Sequence, residues 1–230
     1  MDTVLIIFDI DGTLCDTVEA DDSSFLKALK DLFDIVVEES SWQQAKEKTS
    51  GTDSGAFNEI FVQEYGAKPT MQDILAMKTH FFHLLGKHFD KQKPELIPGA
   101  LKIFEDIKKT DKYKLAIATG GWEQSGVLKL NSAGFTFKDI PYANADSFLW
   151  RKDIISDAIT KSKIAYSIES FSKIVYVGDG IWDFLSAIQL DIGFVGIDHH
   201  KTNVLKEKGA HYVINDFTDH SRFFSIVDSL

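Results

Sequence analysis

The sequence predicts an α/β fold, a doubly wound parallel sheet with an inserted all-helical domain, and three observations carry that expectation. The run Val4-Leu5-Ile6-Ile7-Phe8 has the length and the β-branched and aromatic content of a buried strand. Between residues 18 and 96 no convincing strand follows, and apolar residues recur at helical spacing instead. From Pro98 onward, apolar runs of strand length alternate with helical patterns, the order that builds a parallel sheet with helices on both faces. The chain therefore divides into a core of residues 1–15 and 97–230 and a helical insert of residues 16–96.

Gly12 punctuates the end of the first strand. Phe25, Leu29, Leu32 and Phe33 share one face of a helix expected over 18–34. Glycine and polar residues from Thr49 to Gly55 interrupt the pattern before a helix over 54–65, which stops at Gly66. A longer helix over 71–89 gathers Ile74, Met77, Phe81, Leu84 and Leu85 on one side. Helix 100–109 turns Leu101, Phe104 and Ile107 inward, and Tyr113 to Ala118 reads as a strand. A helix over 122–133 ends at Gly134, a short strand lies near Tyr142, and a helix spans 151–162. Lys173 to Gly178 is the clearest strand after the first. Helix 181–190, strand Gly193 to Ile197, helix 202–208, strand Tyr212 to Ile214 and a helix from about 219 complete the order.

Composition narrows the function. At 44% hydrophobic and 26% charged residues the chain has the make-up of an ordered globular protein rather than a disordered one. A net charge of -10 disfavours nucleic acid, whose binding needs a basic face to displace counterions. A small phosphorylated metabolite needs only a local cationic pocket and stays compatible. The single cysteine, Cys15, leaves no intrachain disulfide and suits a reducing cytoplasm, and the acidic residues after it offer no phosphate loop for a cysteine phosphatase. No run reaches membrane-spanning length and the first residues lack a signal-peptide pattern, so the expected location is the cytoplasm. The oligomeric state is not legible, and a monomer is compatible.

In the parallel sheet this pattern implies, ligands bind beyond the carboxyl ends of the strands, and polar residues collect there. Asp9 and Asp11 follow the first strand two residues apart, so both carboxylates can reach one pocket. After the strand ending at Ala118, Thr119-Gly120-Gly121 offers a hydroxyl and free backbone N–H groups to a phosphate oxygen. At the start of the helix from 151, Arg151 and Lys152 compete as the phosphate-binding cation. Arg151 lies three, four, seven and eight residues before Ile154, Ile155, Ala158 and Ile159, which aims it better than Lys152. Gly178-Asp179-Gly180-Ile181-Trp182-Asp183 places two carboxylates four apart at a helix start, where they can serve one cation. His80, His83, His199 and His200 lack the convergent spacing of a metal site, and core packing accounts for Phe184.

Asp9-Ile10-Asp11-Gly12-Thr13, Thr119, Arg151 and Gly178-Asp179 with Asp183 resemble, in order, the four motifs of the haloacid dehalogenase superfamily of phosphohydrolases. The resemblance spans residues 4–215, and the insert falls where that family carries its helical cap. It implies that Asp9 is a nucleophile and Asp11 a general acid and base, with Thr119, Gly120 and Arg151 binding substrate phosphate. It further implies a Mg²⁺ ion held by Asp9, the Asp11 backbone carbonyl and Asp179, while Asp183 holds a metal-bound water or orients Arg151. The cap loop around Gly51 and Asp53 resembles the specificity loop of phosphoglycolate phosphatase-like members. The implied reaction is hydrolysis of a small phosphate monoester through an aspartyl-phosphate. Two alternatives are a phosphosugar mutase of the β-phosphoglucomutase type, which carries a histidine where this chain has Glu19-Ala20-Asp21-Asp22, and a non-catalytic regulator that binds a phosphorylated ligand.

Overall fold

The computed structural model describes residues 3–230. The chain runs β1 (Val4–Phe8), β2 (Cys15–Asp16), α1 (Val18–Phe33), α2 (Glu39–Lys48), α3 (Asp53–Tyr65), α4 (Met71–Phe89) and β3 (Glu95–Leu96). It continues through α5 (Ala100–Lys108), β4 (Tyr113–Ala118), α6 (Glu123–Ser132), β5 (Tyr142–Ala143), α7 (Arg151–Tyr166) and β6 (Lys173–Gly178). The last elements are α8 (Ile181–Gln189), β7 (Gly193–Ile197), α9 (Val204–Glu207), β8 (Val213–Ile214) and α10 (His220–Ser229).

Six strands form a parallel sheet in the order β5-β4-β1-β6-β7-β8, so β1 is central, with β4 and β6 beside it. Its five residues are all buried because both sheet faces are covered. Leu5 and Ile7 pack with Ala116, Ala118 and Tyr176 against Ile154, Ile155 and Ala158 of α7. Val4, Ile6 and Phe8 point the other way, into a cluster with Ile103, Phe104 and Ile107 of α5 and Phe223 and Val227 of α10. That alternation is the two-residue period of a strand, and it makes the sheet doubly wound.

The helices α1 to α4 all lie between β2 and β3, which pair antiparallel with Cys15 opposite Leu96 and Asp16 opposite Glu95. Within this segment α1 packs along α4. The Phe25 and Phe81 rings lie 5.7 Å apart, and each meets the Trp122 ring beside α6, at 5.6 and 5.7 Å. Among the described residues, no helix is long and apolar enough to cross a membrane.

The stretch expected to be free of strands contains one, the two-residue β3, whose pairing with β2 is too short to leave an apolar pattern in the sequence, and two further differences from the sequence expectation have local causes. Helix α2 was not expected, because Trp42 and Ala45 are its only buried residues and two positions do not make a period. Conversely, α9 is shorter than expected. The Asp198 carboxylate accepts from the backbone N–H groups of Thr202 and Asn203, at 2.7 and 2.9 Å, and Asn203 is left-handed with φ 62, which delays the helix to Val204.

Candidate active site

Asp9 sits immediately beyond the last residue of β1, and its N–H donates to the Val177 carbonyl of the neighbouring strand at 2.9 Å. Thr119 occupies the same level beyond β4, and its Oγ1 accepts from the Gly121 N–H at 3.1 Å. Asp179 follows β6. Three adjacent parallel strands thus deliver their first polar residues to one edge of the sheet, where a cavity of about 400 Å³ opens beneath the helical segment.

Arg151, at the start of α7, is buried, whereas Lys152 is exposed, so the helix phase turns Arg151 into the site. Its Nη1 donates to Asp9 Oδ1 at 2.9 Å and its Nη2 to the Gly51 carbonyl at 2.7 Å, while Nε lies 3.5 Å from Asp183 Oδ1. The Tyr176 hydroxyl lies 3.2 Å from the same Asp183 oxygen, and the Gly180 N–H donates to the other at 2.9 Å. Asp183 therefore braces Arg151 from behind.

One oxygen from each of Asp9, Asp179 and Asp183 lies within 4.8 Å of the others. Burial first, and then the neighbouring carboxylates, push Asp9 up to about 7 and Asp179 well above the usual carboxylate range, with Arg151 opposing the shift in both. Crowding charges of one sign in a buried space is costly unless a cation joins them. The donors are all hard oxygens, the chemistry Mg²⁺ prefers. Gly12 lies against the same cluster. It has φ +70, and a Cβ there would come within 2.0 Å of Asp179 Oδ2. These residues fit the divalent cation that the sequence motifs imply.

The Asp11 side chain is held differently. Thr17 Oγ1 donates to its Oδ1 at 2.5 Å, and Lys129 Nζ lies 2.8 Å from its carboxylate. Lys129, on α6, is fully buried and also pairs with Asp21 of α1. Burial alone would lower the Lys129 pKa, but Asp11, Asp21 and Asp53 together hold it above the ordinary lysine value. Sequence reasoning missed this lysine. The available signal was its place on the buried face of α6, four residues after Ser125 and three after Gly126.

The loop before α3 closes over these groups. Asp53 N–H donates to the Gly120 carbonyl at 2.8 Å, and the Asp53 carboxylate accepts from the Trp122 N–H at 2.9 Å. Thr52 and Ser54 hydroxyls donate to the Leu149 and Ala145 carbonyls, and the Trp122 indole donates to Ser54 Oγ at 2.7 Å. Asp53 does not cap its helix, because Thr52 does so by accepting from the Gly55 N–H. The Asp53 carboxylate instead spans from the helical segment to the start of α6, and burial pushes it up to about 7.

The architecture has counterparts elsewhere. Residues 6–197 match the family model described as haloacid dehalogenase-like hydrolase. The chain belongs to the haloacid dehalogenase-like hydrolase family. Similar solved structures include a hydrolase from Pseudomonas syringae, 22% identical with a TM-score of 0.75 over 98% of each chain. CbbY from Rhodobacter sphaeroides is 17% identical, with a TM-score of 0.72 over 94% of this chain and 95% of that one, and has been solved with phosphate and, as a mutant, with xylulose-1,5-bisphosphate. A hydrolase of the family from Entamoeba histolytica is 18% identical, with a TM-score of 0.71 over 99% of this chain and 100% of that one. No protein among those with curated descriptions matches. At these identities the solved structures establish the haloacid dehalogenase-like fold alone.

Proposed function

We propose that the protein is a cytoplasmic, Mg²⁺-dependent phosphatase that hydrolyses a small phosphate monoester through an aspartyl-phosphate on Asp9. The observation that carries this reading is the division of labour between the two carboxylates after β1. Asp9 is joined to a buried guanidinium and to the carboxylates fit for a cation, while Asp11 is turned to Thr17 and Lys129. These contacts support Asp9 as the attacking group and Asp11 as the group that handles a proton.

In this mechanism Asp9 Oδ attacks phosphorus in line. Arg151 and the Thr119 hydroxyl hold the phosphoryl oxygens, and the Gly120 turn brings backbone close to them. Asp11 gives its proton to the departing alkoxide oxygen, then takes one from the water that cleaves the aspartyl-phosphate. Asp9, Asp179 and the Asp11 carbonyl would hold Mg²⁺, with Asp183 behind, and the bound ion would neutralise charge on the phosphoryl group. Helices α1 to α4 act as a cap that shields the intermediate from bulk water, with Gly51 and Asp53 joining it to the core.

Among the described residues no histidine lines the cavity, and the neighbourhood where the mutase alternative implies one reads Glu19-Ala20-Asp21-Asp22. A binding-only regulator has no use for the Asp9 and Asp11 pair. The test is phosphate release from an aryl phosphate by wild-type and Asp9→Asn protein. Turnover that disappears in the folded variant is expected, because an amide is neither nucleophile nor anionic ligand, and undiminished turnover would falsify the mechanism.

A further inference from the structure

The groups expected to hold the phosphoryl oxygens, the Thr119-Gly120-Gly121 turn and Arg151, belong to the core, yet one stretch of the helical segment grips both. Asp53 straddles the turn. Its N–H donates to the Gly120 carbonyl at 2.8 Å, and its carboxylate Oδ2 accepts from the Trp122 N–H at 2.9 Å. Two positions earlier, the Gly51 carbonyl accepts from Arg151 Nη2 at 2.7 Å. The fit is close: a Cβ on Gly120 would come within 2.0 Å of the Gly51 oxygen and 2.4 Å of Arg151 Nη2.

Each of these bonds has a local reason. Helix α3 begins at Asp53, and Thr52 already caps it by accepting from the Gly55 N–H, so the N–H and carboxylate of Asp53 are released to partners outside the helix. Trp122 precedes α6, which has no side-chain cap of its own, and its buried N–H finds its acceptor in Asp53. The turn is weakly fixed without that help. Within it the Gly121 N–H donates to Thr119 Oγ1 at 3.1 Å, and from outside the Ala145 N–H holds the Gly121 carbonyl at 3.0 Å. Two consecutive glycines add no rigidity.

The sequence resemblance gives this loop a part in substrate choice. Its geometry points elsewhere, because Asp53 is 9% exposed and its Oδ2 is committed to backbone. Resting on the phosphatase reading, we propose that Asp53 is a positioning residue of the phosphate subsite. It holds the Thr119-Gly120-Gly121 turn in the conformation that receives the phosphoryl oxygens and takes no part in selecting the alcohol. Its loss therefore falls on every phosphate ester alike, and on free phosphate.

The test measures, on the protein with Mg²⁺, the Kd of inorganic phosphate by calorimetry and kcat/KM on glycerol 1-phosphate, phosphoglycolate and p-nitrophenyl phosphate. Asp53→Ala removes the acceptor, and the displaced turn should raise Kd and lower kcat/KM on all the esters by a common factor of roughly tenfold or more. Asp53→Asn keeps an acceptor oxygen and should stay within about threefold of wild type. Ser54→Ala is the control for docking alone. The Ser54 hydroxyl joins the same segments through the Ala145 carbonyl and the Trp122 indole, so Tm should fall while Kd holds. A changed ranking of esters in Asp53→Ala makes Asp53 a selector of the alcohol and overturns the proposal. So does an unmoved Kd in folded Asp53→Ala, a loss in Asp53→Asn as large as in Asp53→Ala, or an equal rise in Ser54→Ala. Should Asp53→Ala not fold, Asp53→Ser, whose hydroxyl is too short to reach the Trp122 N–H, is held to the same criteria. Wild type that binds phosphate but cleaves no ester removes the phosphatase reading alone, and the Kd comparison still decides this one. Wild type that does neither removes both.

Discussion

Replacing Lys129 with methionine keeps most of the side-chain volume and removes the one charge that faces both Asp11 and Asp21. Breaking a buried ion pair costs about 3–5 kcal/mol, because the abandoned carboxylates stay where they are. The Asp11 and Asp21 side chains keep 20% and 14% exposure, so some hydration survives and the loss should fall near the lower end, about 3 kcal/mol. For a chain of this size that lowers Tm by roughly 10 °C. The functional effect should depend on the leaving group. On the proposed mechanism, the Asp11 carboxyl without Lys129 is positioned by Thr17 alone, so proton delivery to a departing alkoxide slows through misplacement, whereas p-nitrophenolate departs without a proton. Because kcat/KM reports the first irreversible step, the assay compares kcat/KM on an alkyl and an activated aryl phosphate. The alkyl ester should lose about 100-fold, the lower range of general acid catalysis, and the aryl ester less than tenfold. Asp21→Asn in the same background should recover part of the stability. Equal losses on the two esters, or an unchanged Tm, would refute the reasoning.

Three further outcomes are expected. Burial pushes the Asp53 carboxyl in the folded protein from its ordinary value of 3.8 up to about 7, so its contribution to stability is fully present below the unfolded value and is lost as pH rises through 7. Between pH 5 and pH 8, wild type should therefore lose roughly 2–3 kcal/mol relative to Asp53→Asn in denaturant unfolding, and a pH-independent difference would contradict the shift. Chelation should abolish turnover, and Ca²⁺ should inhibit rather than replace Mg²⁺, since its looser geometry misaligns Asp9; full activity in chelator sinks the cation assignment. Gly12→Ala forces a Cβ into the left-handed region and onto Asp179, so the Mg²⁺ concentration for half-maximal activity should rise by at least tenfold, and an unchanged value would show that Asp179 can move aside freely.

Much of the site was legible because its residues follow apolar runs that could only be central strands. Asp9, Thr119 and Asp179 each come directly after one, and strand ends in a parallel sheet converge. The preference for Arg151 over Lys152 was also legible, since helix phase alone distinguishes them, and the structure buries the first and exposes the second. What escaped depends on contacts between distant segments. Lys129 reads locally as a solvated helix lysine, and only the approach of α1 and the β1 turn makes it the partner of two carboxylates. The Asp53 bond to Trp122 joins residues 69 apart, and it is the neighbouring Thr52 that caps α3. Lys46 reaches the Trp182 ring, 5.9 Å from its centroid, from α2, a helix with too few apolar residues to announce itself.

The pairing of β2 with β3 brings the entry and exit of the helical segment side by side, with Cys15 opposite Leu96. Antiparallel partners have Cα atoms about 5 Å apart, a gap that a tight turn of two residues closes. The eighty residues or so between them are thus a detachable module as far as chain connectivity is concerned. A shortened gene joining the two strands directly would keep β1, β4 and β6 with Asp9, Thr119, Arg151 and Asp179, and would discard Trp42, Lys46 and Asp53. The cut would also remove Thr17, Asp21 and Gly51, which hold Asp11, Lys129 and Arg151, so the strand-end residues would remain while the contacts that position them would be lost.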